Sequence, residues 1–367
     1  MSDNHGLDDN FATATTLGPA FESEAVVVVL STNENFVPYV SCVLESILDN
    51  SSLDRNYDII VLHRSVTDKS KKILEGQAKQ KNVSIRLFDL TSAIDRFGNL
   101  YVHGHFKVET YFRLIIPEIM PWCHKALYLD ADIIVLRDVA ELFDTDVEGY
   151  MIAATHDADT AGQYNGFDPG AKHYMDDILK IKSPYDYFQA GIILFNLDEI
   201  SARYTSEEML TYASSYHWTL LDQDVLNFLA QGHVRYVDMA WNTLMDWQGL
   251  RRKYIIGLAP ENLRDAYEKA RLDPFIVHYA GPGNKPWECK KVDFGEYFWK
   301  YAALSPFAED FHDRYKMMEH SFAHTVQLIT DFWSYRVILP IGAVVSPPGS
   351  LLRKVFYRVY RFFIRLD

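Results

Sequence analysis

Four Asp-x-Asp pairs punctuate the sequence: Asp130/Asp132, Asp144/Asp146, Asp157/Asp159 and Asp222/Asp224. Only the first lies between two apolar runs, Ala126-Leu-Tyr-Leu129 and Ile133-Ile-Val-Leu136, where uncompensated carboxylates would be costly. Two hard oxygen ligands at the carboxyl end of a buried strand suit a divalent cation such as Mn²⁺ or Mg²⁺, which in turn grips phosphates. The plainer alternative is a turn with solvated aspartates. A second element, Phe275-Ile-Val-His278-Tyr-Ala-Gly281-Pro-Gly283-Asn-Lys285-Pro-Trp287, offers an imidazole to complete a Mn²⁺ shell. It also has glycines that let backbone N–H groups approach an anion, and the point charge of Lys285. A lone His278 reads as a satisfied strand-end histidine; the glycines and lysine behind it favour the ligand reading. Asp222 is either an active-site carboxylate or the N-cap of a helix, and Arg113 either a functional cation or a surface ion pair. Neither a Gly-x-Gly-x-x-Gly nor a Gly-x4-Gly-Lys-Ser/Thr string occurs.

Elements that alternate in type must position these groups. Ala25-Val-Val-Val-Val-Leu30 is a continuous β-branched run, the pattern of a strand buried on both faces. A helix over about 38–48, a strand over 57–62, a helix over 68–79 and a strand over 83–87 follow, the rhythm of an α/β sheet. A helix over 110–116 should end near Pro117. The strands 126–129 and 133–136 flank Asp130 and Asp132. Gly191 to Phe195 reads as a strand, 222–230 as a helix, 274–278 as a strand and 305–338 as helical.

The chain has 367 residues, 48% of them hydrophobic, and a formal charge of −14. That supports a real core and disfavours a nucleic-acid partner. Cys42, Cys123 and Cys289 lie far apart, without metal or redox spacing, and read as buried thiols in a reducing compartment. The polar, acidic residues 1–24 read as a tail with no signal-peptide pattern, and no stretch approaches a membrane span. The expected placement is cytoplasmic, peripheral on the cytosolic face of a membrane.

From about Ala25 to Trp287 the motifs, taken in order, resemble glycosyltransferase family 8, a retaining, metal-dependent group that includes bacterial lipopolysaccharide galactosyl- and glucosyltransferases. The matching segments are Leu30-Ser-Thr-Asn-Glu-Asn-Phe36, Thr110-Tyr-Phe-Arg113-Leu, Leu127-Tyr-Leu-Asp130-Ala-Asp132, Tyr187-Phe-Gln-Ala-Gly191, Leu221-Asp222-Gln223-Asp224 and His278 to Trp287. The resemblance implies a GT-A fold, a Rossmann-like mixed α/β sheet flanked by helices, over 25–300, with a helical extension over 301–345. It implies that Asp130, Asp132 and His278 bind Mn²⁺ (or Mg²⁺). Ser31, Thr32, Asn33, Asn35, Arg113 and Ala131 would hold the nucleotide of a UDP-sugar, and Gly281 and Lys285 would contact its diphosphate. Asp222 and Gln223 would face the anomeric carbon, with Gln189 beside the sugar. The implied activity is transfer of glucose or galactose to a saccharide or lipid-linked glycan in cell-surface polysaccharide synthesis. The alternatives are a non-catalytic nucleotide-sugar or glycan scaffold and a metal-dependent nucleotidyl transferase or phosphohydrolase. Three departures stand out: Asn33 where relatives often have Asp, Gln189 where they have Asn, and a loop from His278 to Lys285 that is one residue longer than in some bacterial relatives.

Residues 346–367 carry the clustered basic charge. On a helical projection Lys354, Arg358, Arg361 and Arg365 form one stripe, opposite Leu352, Val355, Phe356, Val359, Phe362, Phe363 and Leu366. Such a helix would lie on an anionic membrane surface, or else pack on the protein as a terminal helix or subunit contact.

Overall fold

The computed structural model describes residues 16–95, 100–104, 107–247, 249–281, 285–289, 292–320, 346–347 and 350–355. Among the described residues ten strands form two sheets. They are β1 (Ala25–Asn33), β2 (Asn56–Arg64), β3 (Val83–Asp89), β4 (Lys125–Leu129), β5 (Ile133–Val135), β6 (Ile152–Ala154), β7 (Ile192–Asn196), β8 (Val234–Tyr236), β9 (Thr243–Leu244) and β10 (Ile276–His278). The larger sheet has the order β3-β2-β1-β4-β7-β6-β8, and the smaller β5-β10-β9. The β-branched run in β1 is buried on both faces, as a central parallel strand requires.

Register brings the chemistry to one edge. β1 and β4 run parallel with Leu30 opposite Leu129, so Ser31–Asn33, at the end of β1, and Asp130, just past β4, lie at the same edge of the sheet. β7 runs antiparallel to β4, Ile192 opposite Leu129, and so enters where β4 exits; the Asp130 N–H donates to the Gly191 carbonyl at 2.8 Å. In the smaller sheet His278 lies opposite Ile133 on one side and beside Leu244 on the other.

Several expectations are adjusted. Residues 108–114 form a 3₁₀ helix (Val108–Leu114), and Pro117 opens the short helix Ile116–Ile119 instead of stopping one. Proline is tolerated in a first turn because its missing N–H has no partner there in any case. The helix from Asp68 ends at Glu75, before Gly76. The expected tail docks over residues 17–20: the Leu17 N–H donates to Ile119, Trp122 to Leu17, Ala20 to buried Asp58 and Arg86 to Gly18. The helices Gly295–Ala302 and Ala308–His320 pack on the rest of the chain. Their Phe298, Tyr301 and Phe311 join Tyr39, Val277, Tyr279 and Trp287 in one buried cluster. The three cysteines are buried and lie outside any disulfide among the described residues, and burial pushes the Cys123 thiol up to about 12.

Residues 351–355 make one helical turn. Leu351, Leu352 and Val355 are exposed, while Arg353 is buried with its guanidinium 5.3 Å from the centre of the Phe167 ring. The part of the expected helical stretch 305–338 that lies beyond His320 and the basic stripe beyond Val355 are outside the described residues, as is Gly283. Among the described residues no helix is long and apolar enough to cross a membrane.

Candidate active site

A cavity of about 450 Å³ opens at this edge, lined among others by Ser31, Thr32, Asn33, Arg113, Asp130, Ala131, Asp132, Gln189, Asp222, Gln223, His278 and Gly281. Asn35 and Lys285 stand outside its lining. Asn35 is exposed and donates its N–H to Asn33 Oδ1 at 3.1 Å; the Lys285 ammonium binds Asp132 Oδ2 at 2.6 Å and the Tyr279 carbonyl.

Asp130, Asp132 and His278 each direct one ligand atom to a common point, the three atoms lying within 4.8 Å of one another. His278 Nε2 is 3.2 Å from Asp132 Oδ1 and 3.8 Å from Asp130 Oδ2. Two half-buried carboxylates facing each other are not a solvated turn. Burial raises the Asp130 carboxyl, and Asp132 adds to the rise against the pull of Arg113. Burial also works against ionised Asp132, but Lys285 and His278 hold it well below the usual range. Gly191 lies beneath the cluster. A Cβ there would stand 2.3 Å from His278 Cε1 and 2.8 Å from Asp130 Oδ2, so only glycine lets the imidazole come this close. Two hard oxygens and one imidazole suit Mn²⁺ or Mg²⁺.

Arg113 is buried, not on the surface. Its guanidinium reaches Asp130 Oδ1 at 2.8 Å, Asp222 Oδ2 at 2.9 Å and the Ala190 carbonyl, and packs 4.1 Å over the Tyr128 ring. Arg113 therefore ties the metal-ligating edge to Asp222, whose other oxygen accepts from Thr110 Oγ1. Burial pushes the Asp222 carboxyl up to about 6, with Arg113 and Thr110 pulling the other way.

Asp222 is not an N-cap; the helix Asp222–Leu229 starts at it, behind Leu221 at φ 50°, ψ −118°. Such backbone costs a non-glycine residue on the order of 1–3 kcal/mol and persists only where the surroundings fix it. Asp224 does the fixing: it accepts from the Leu220 N–H at 2.7 Å and from the hydroxyls of Tyr174 and Tyr187 at 2.6 Å each. The strained turn presents Asp222 and Gln223 to the cavity. Gln223 is held at both ends, its Oε1 accepting from the Ala190 N–H at 2.9 Å and its Nε2 donating to Asp157 at 3.1 Å.

Sequence reasoning missed several residues here. Asp157 and Asp159 line the cavity although no long apolar runs flank them. Asp159 is paired at 2.7 Å with Arg251, which also donates to the carbonyls of Met245 and Ala280 and lies 3.8 Å over the Trp247 ring. Arg251 begins an Arg-Arg-Lys run that reads as solvated charge. Asn242, an isolated amide in the sequence, is buried against His278.

These motifs also match known proteins in sequence. The profile of Glycosyl transferase family 8 matches residues 27–291, and the chain belongs to that family. Among its relatives are general stress protein A of Bacillus subtilis, 24% identical over 72% of this chain and 88% of the relative. Another is the lipopolysaccharide 1,3-galactosyltransferase of Salmonella typhimurium, 27% identical over 64% and 65%. The bifunctional glycosyltransferase WbbM superposes with a TM-score of 0.72 and 30% identity over 82% of this chain and 53% of its own. The galactosyltransferase LgtC, solved with donor and acceptor sugar analogs, shares the fold with a TM-score of 0.64 at 22% identity, over 77% and 96%. The mixed seven-stranded sheet with its flanking helices is thus a GT-A glycosyltransferase fold.

Proposed function

We propose that the protein is a retaining hexosyltransferase that uses Mn²⁺, or Mg²⁺, to transfer glucose or galactose from a UDP-sugar to a saccharide or lipid-linked glycan of the cell surface. The observation that supports this most is the convergence of Asp130, Asp132 and His278 in the cavity that also holds Asn33, Asp222 and Gln223. Ser31, Thr32, Asn33 and Ala131 line the side where the nucleotide would bind; Asn35 braces Asn33 from outside. A bound cation would stabilise the negative charge that develops on the departing diphosphate. Lys285, beside Asp132, and Gly281 would contact that diphosphate.

The chain's own groups account for the rest. As the bond from C1 to the diphosphate lengthens, the sugar becomes oxocarbenium-like. Gln223 Oε1 keeps a second lone pair while its first is taken by the Ala190 N–H, so a fixed dipole faces the developing positive charge. Asp222 Oδ1 accepts from Thr110, and Oδ2, which accepts no hydrogen bond, is ion-paired with Arg113 at 2.9 Å; that pairing suits a carboxylate that steadies charge better than one that attacks carbon. That favours attack on the same face, with the departing phosphate oxygen taking the acceptor's proton. Arg113 would act here as a bridge between carboxylates rather than as a direct nucleotide ligand.

The test is thermal unfolding with and without Mn²⁺ against UDP-glucose, UDP-galactose, UDP-N-acetylglucosamine and GDP-mannose, with UDP release measured in parallel. Mn²⁺-dependent stabilisation by one UDP-hexose with slow UDP release is expected. No shift with any of them at millimolar concentration would overturn the proposal.

A further inference from the structure

His278 meets the two aspartates through Nε2, and its other ring nitrogen is also spoken for. Nδ1 lies 2.9 Å from Asn242 Oδ1, and Asn242 Nδ2 lies 2.7 Å from Gln189 Oε1. Gln189 Oε1 also accepts the backbone N–H of Gly191 at 2.6 Å. A backbone N–H can only donate, so the Gln189 atom that faces it must be the oxygen. The Asn242 atom that faces that oxygen must then be its nitrogen. This leaves the Asn242 oxygen towards His278, and Nδ1 must carry a proton to satisfy it. The proton on Nδ1 leaves the lone pair of a neutral ring on Nε2, the atom directed at Asp130 and Asp132. One backbone amide thus dictates, through two carboxamides, which histidine nitrogen is free to bind a cation.

We infer that Asn242 is a positioning residue: with Gln189 it forms a hydrogen-bonded relay that fixes the ring plane and tautomer of His278 for the metal. The inference rests on the metal reading above. Asn242 and His278 are both buried, so no solvent competes with the relay. Asn242 ends the short 3₁₀ helix Met239–Asn242 and leads directly into β9, which pairs with β10, the strand that ends in His278, so regular elements on both sides bring the two residues together. Gly191 closes the circuit, supplying the N–H that orients Gln189 and the missing Cβ that makes room for His278. Partners of this kind commonly set ligand affinity from outside the coordination shell. The Gln189 Nε2 group makes no hydrogen bond among the described residues, so the relay leaves two donors at the cavity wall beside the metal ligands.

The experiment measures Mn²⁺ affinity of the full chain in saturating UDP, from the electron paramagnetic resonance signal of free Mn²⁺, for wild type, Asn242→Leu and Asn242→Asp. Asn242→Leu removes the acceptor and should weaken Mn²⁺ binding about 10- to 100-fold, whereas Asn242→Asp keeps an acceptor for Nδ1 and should restore most of it. Asn242→Asp cannot donate to Gln189, so it should instead raise the KM for the donor sugar with Mn²⁺ saturating. Two results would overturn the relay: a folded Asn242→Leu protein with wild-type Mn²⁺ affinity, or equal Mn²⁺ loss in both variants. Should Asn242→Leu fail to fold, Asn242→Ala, which also removes the acceptor without adding bulk, takes its place under the same criteria. If the wild type itself binds no Mn²⁺, the metal reading fails and the relay with it, an outcome distinct from the other two.

Discussion

Gly191→Ala is the sharpest perturbation of the site, because it adds one methyl group where the structure has no room. The new Cβ would stand 2.3 Å from His278 Cε1, against at least 3.4 Å for an ordinary contact, so the imidazole has to retreat by about 1.1 Å. It cannot do so freely, with Asn242 at Nδ1 and Asp132 at Nε2. Overpacking of this kind costs about 1–3 kcal/mol of stability, and misplacing a catalytic group by about 1 Å costs roughly 100-fold in rate. The expected result is a modest fall in the unfolding midpoint with a much larger loss of Mn²⁺-dependent UDP release, measured at saturating donor. Gly170→Ala is the control. Gly170 has φ −93° and its Cβ would make an ordinary 3.4 Å contact, so the same substitution there should be nearly silent. A Gly191→Ala protein with Mn²⁺ affinity and kcat/KM within about threefold of wild type would refute the reasoning that the cluster is built around this glycine.

Arg113→Ala strands two carboxylates in a buried site and should cost about 3–5 kcal/mol in urea unfolding; a loss below 1 kcal/mol would mean that Asp130 and Asp222 do not depend on it. Asp222, pushed up to about 6, is ionised at pH 7 and protonated at pH 5, so kcat/KM with Mn²⁺ saturating should fall roughly tenfold per unit below pH 6; a flat profile from pH 5 to 7 would refute a role for its charge. Because the folded state holds this proton more tightly than the unfolded chain, the fold gains stability from Asp222 as the pH falls from about 6, and Asp222→Asn should leave the pH 7 unfolding midpoint unchanged or raised. Deleting residues 351–367 should abolish binding to anionic vesicles in a salt-dependent sedimentation assay, and unchanged binding would dismiss the membrane role of that basic stripe.

Much of this protein is legible one segment at a time. The run Ala25–Leu30 declares a doubly buried strand because nothing in it tolerates water, and Asp130-Ala-Asp132 declares itself because two carboxylates interrupt apolar strands. Local patterns of this kind depend on neighbours in sequence, and so they, and the family they jointly resemble, can be read without coordinates. The sequence could not say that Pro117 would open a helix, that residues 17–20 would dock, or that Leu221 would take a left-handed turn, since each is settled by contacts made from elsewhere in the chain. The same holds for the inner workings of the site. Arg113 reads either as a nucleotide-holding cation or as a surface ion pair until the fold closes Asp130 and Asp222 around it, and Asn242 is an unremarked amide until the fold sets it against His278. Residue types and spacing determined which groups could bind a metal and face a sugar. Only the tertiary structure decided how each was oriented, because direction comes largely from partners distant in the chain that the fold brings within hydrogen-bonding distance.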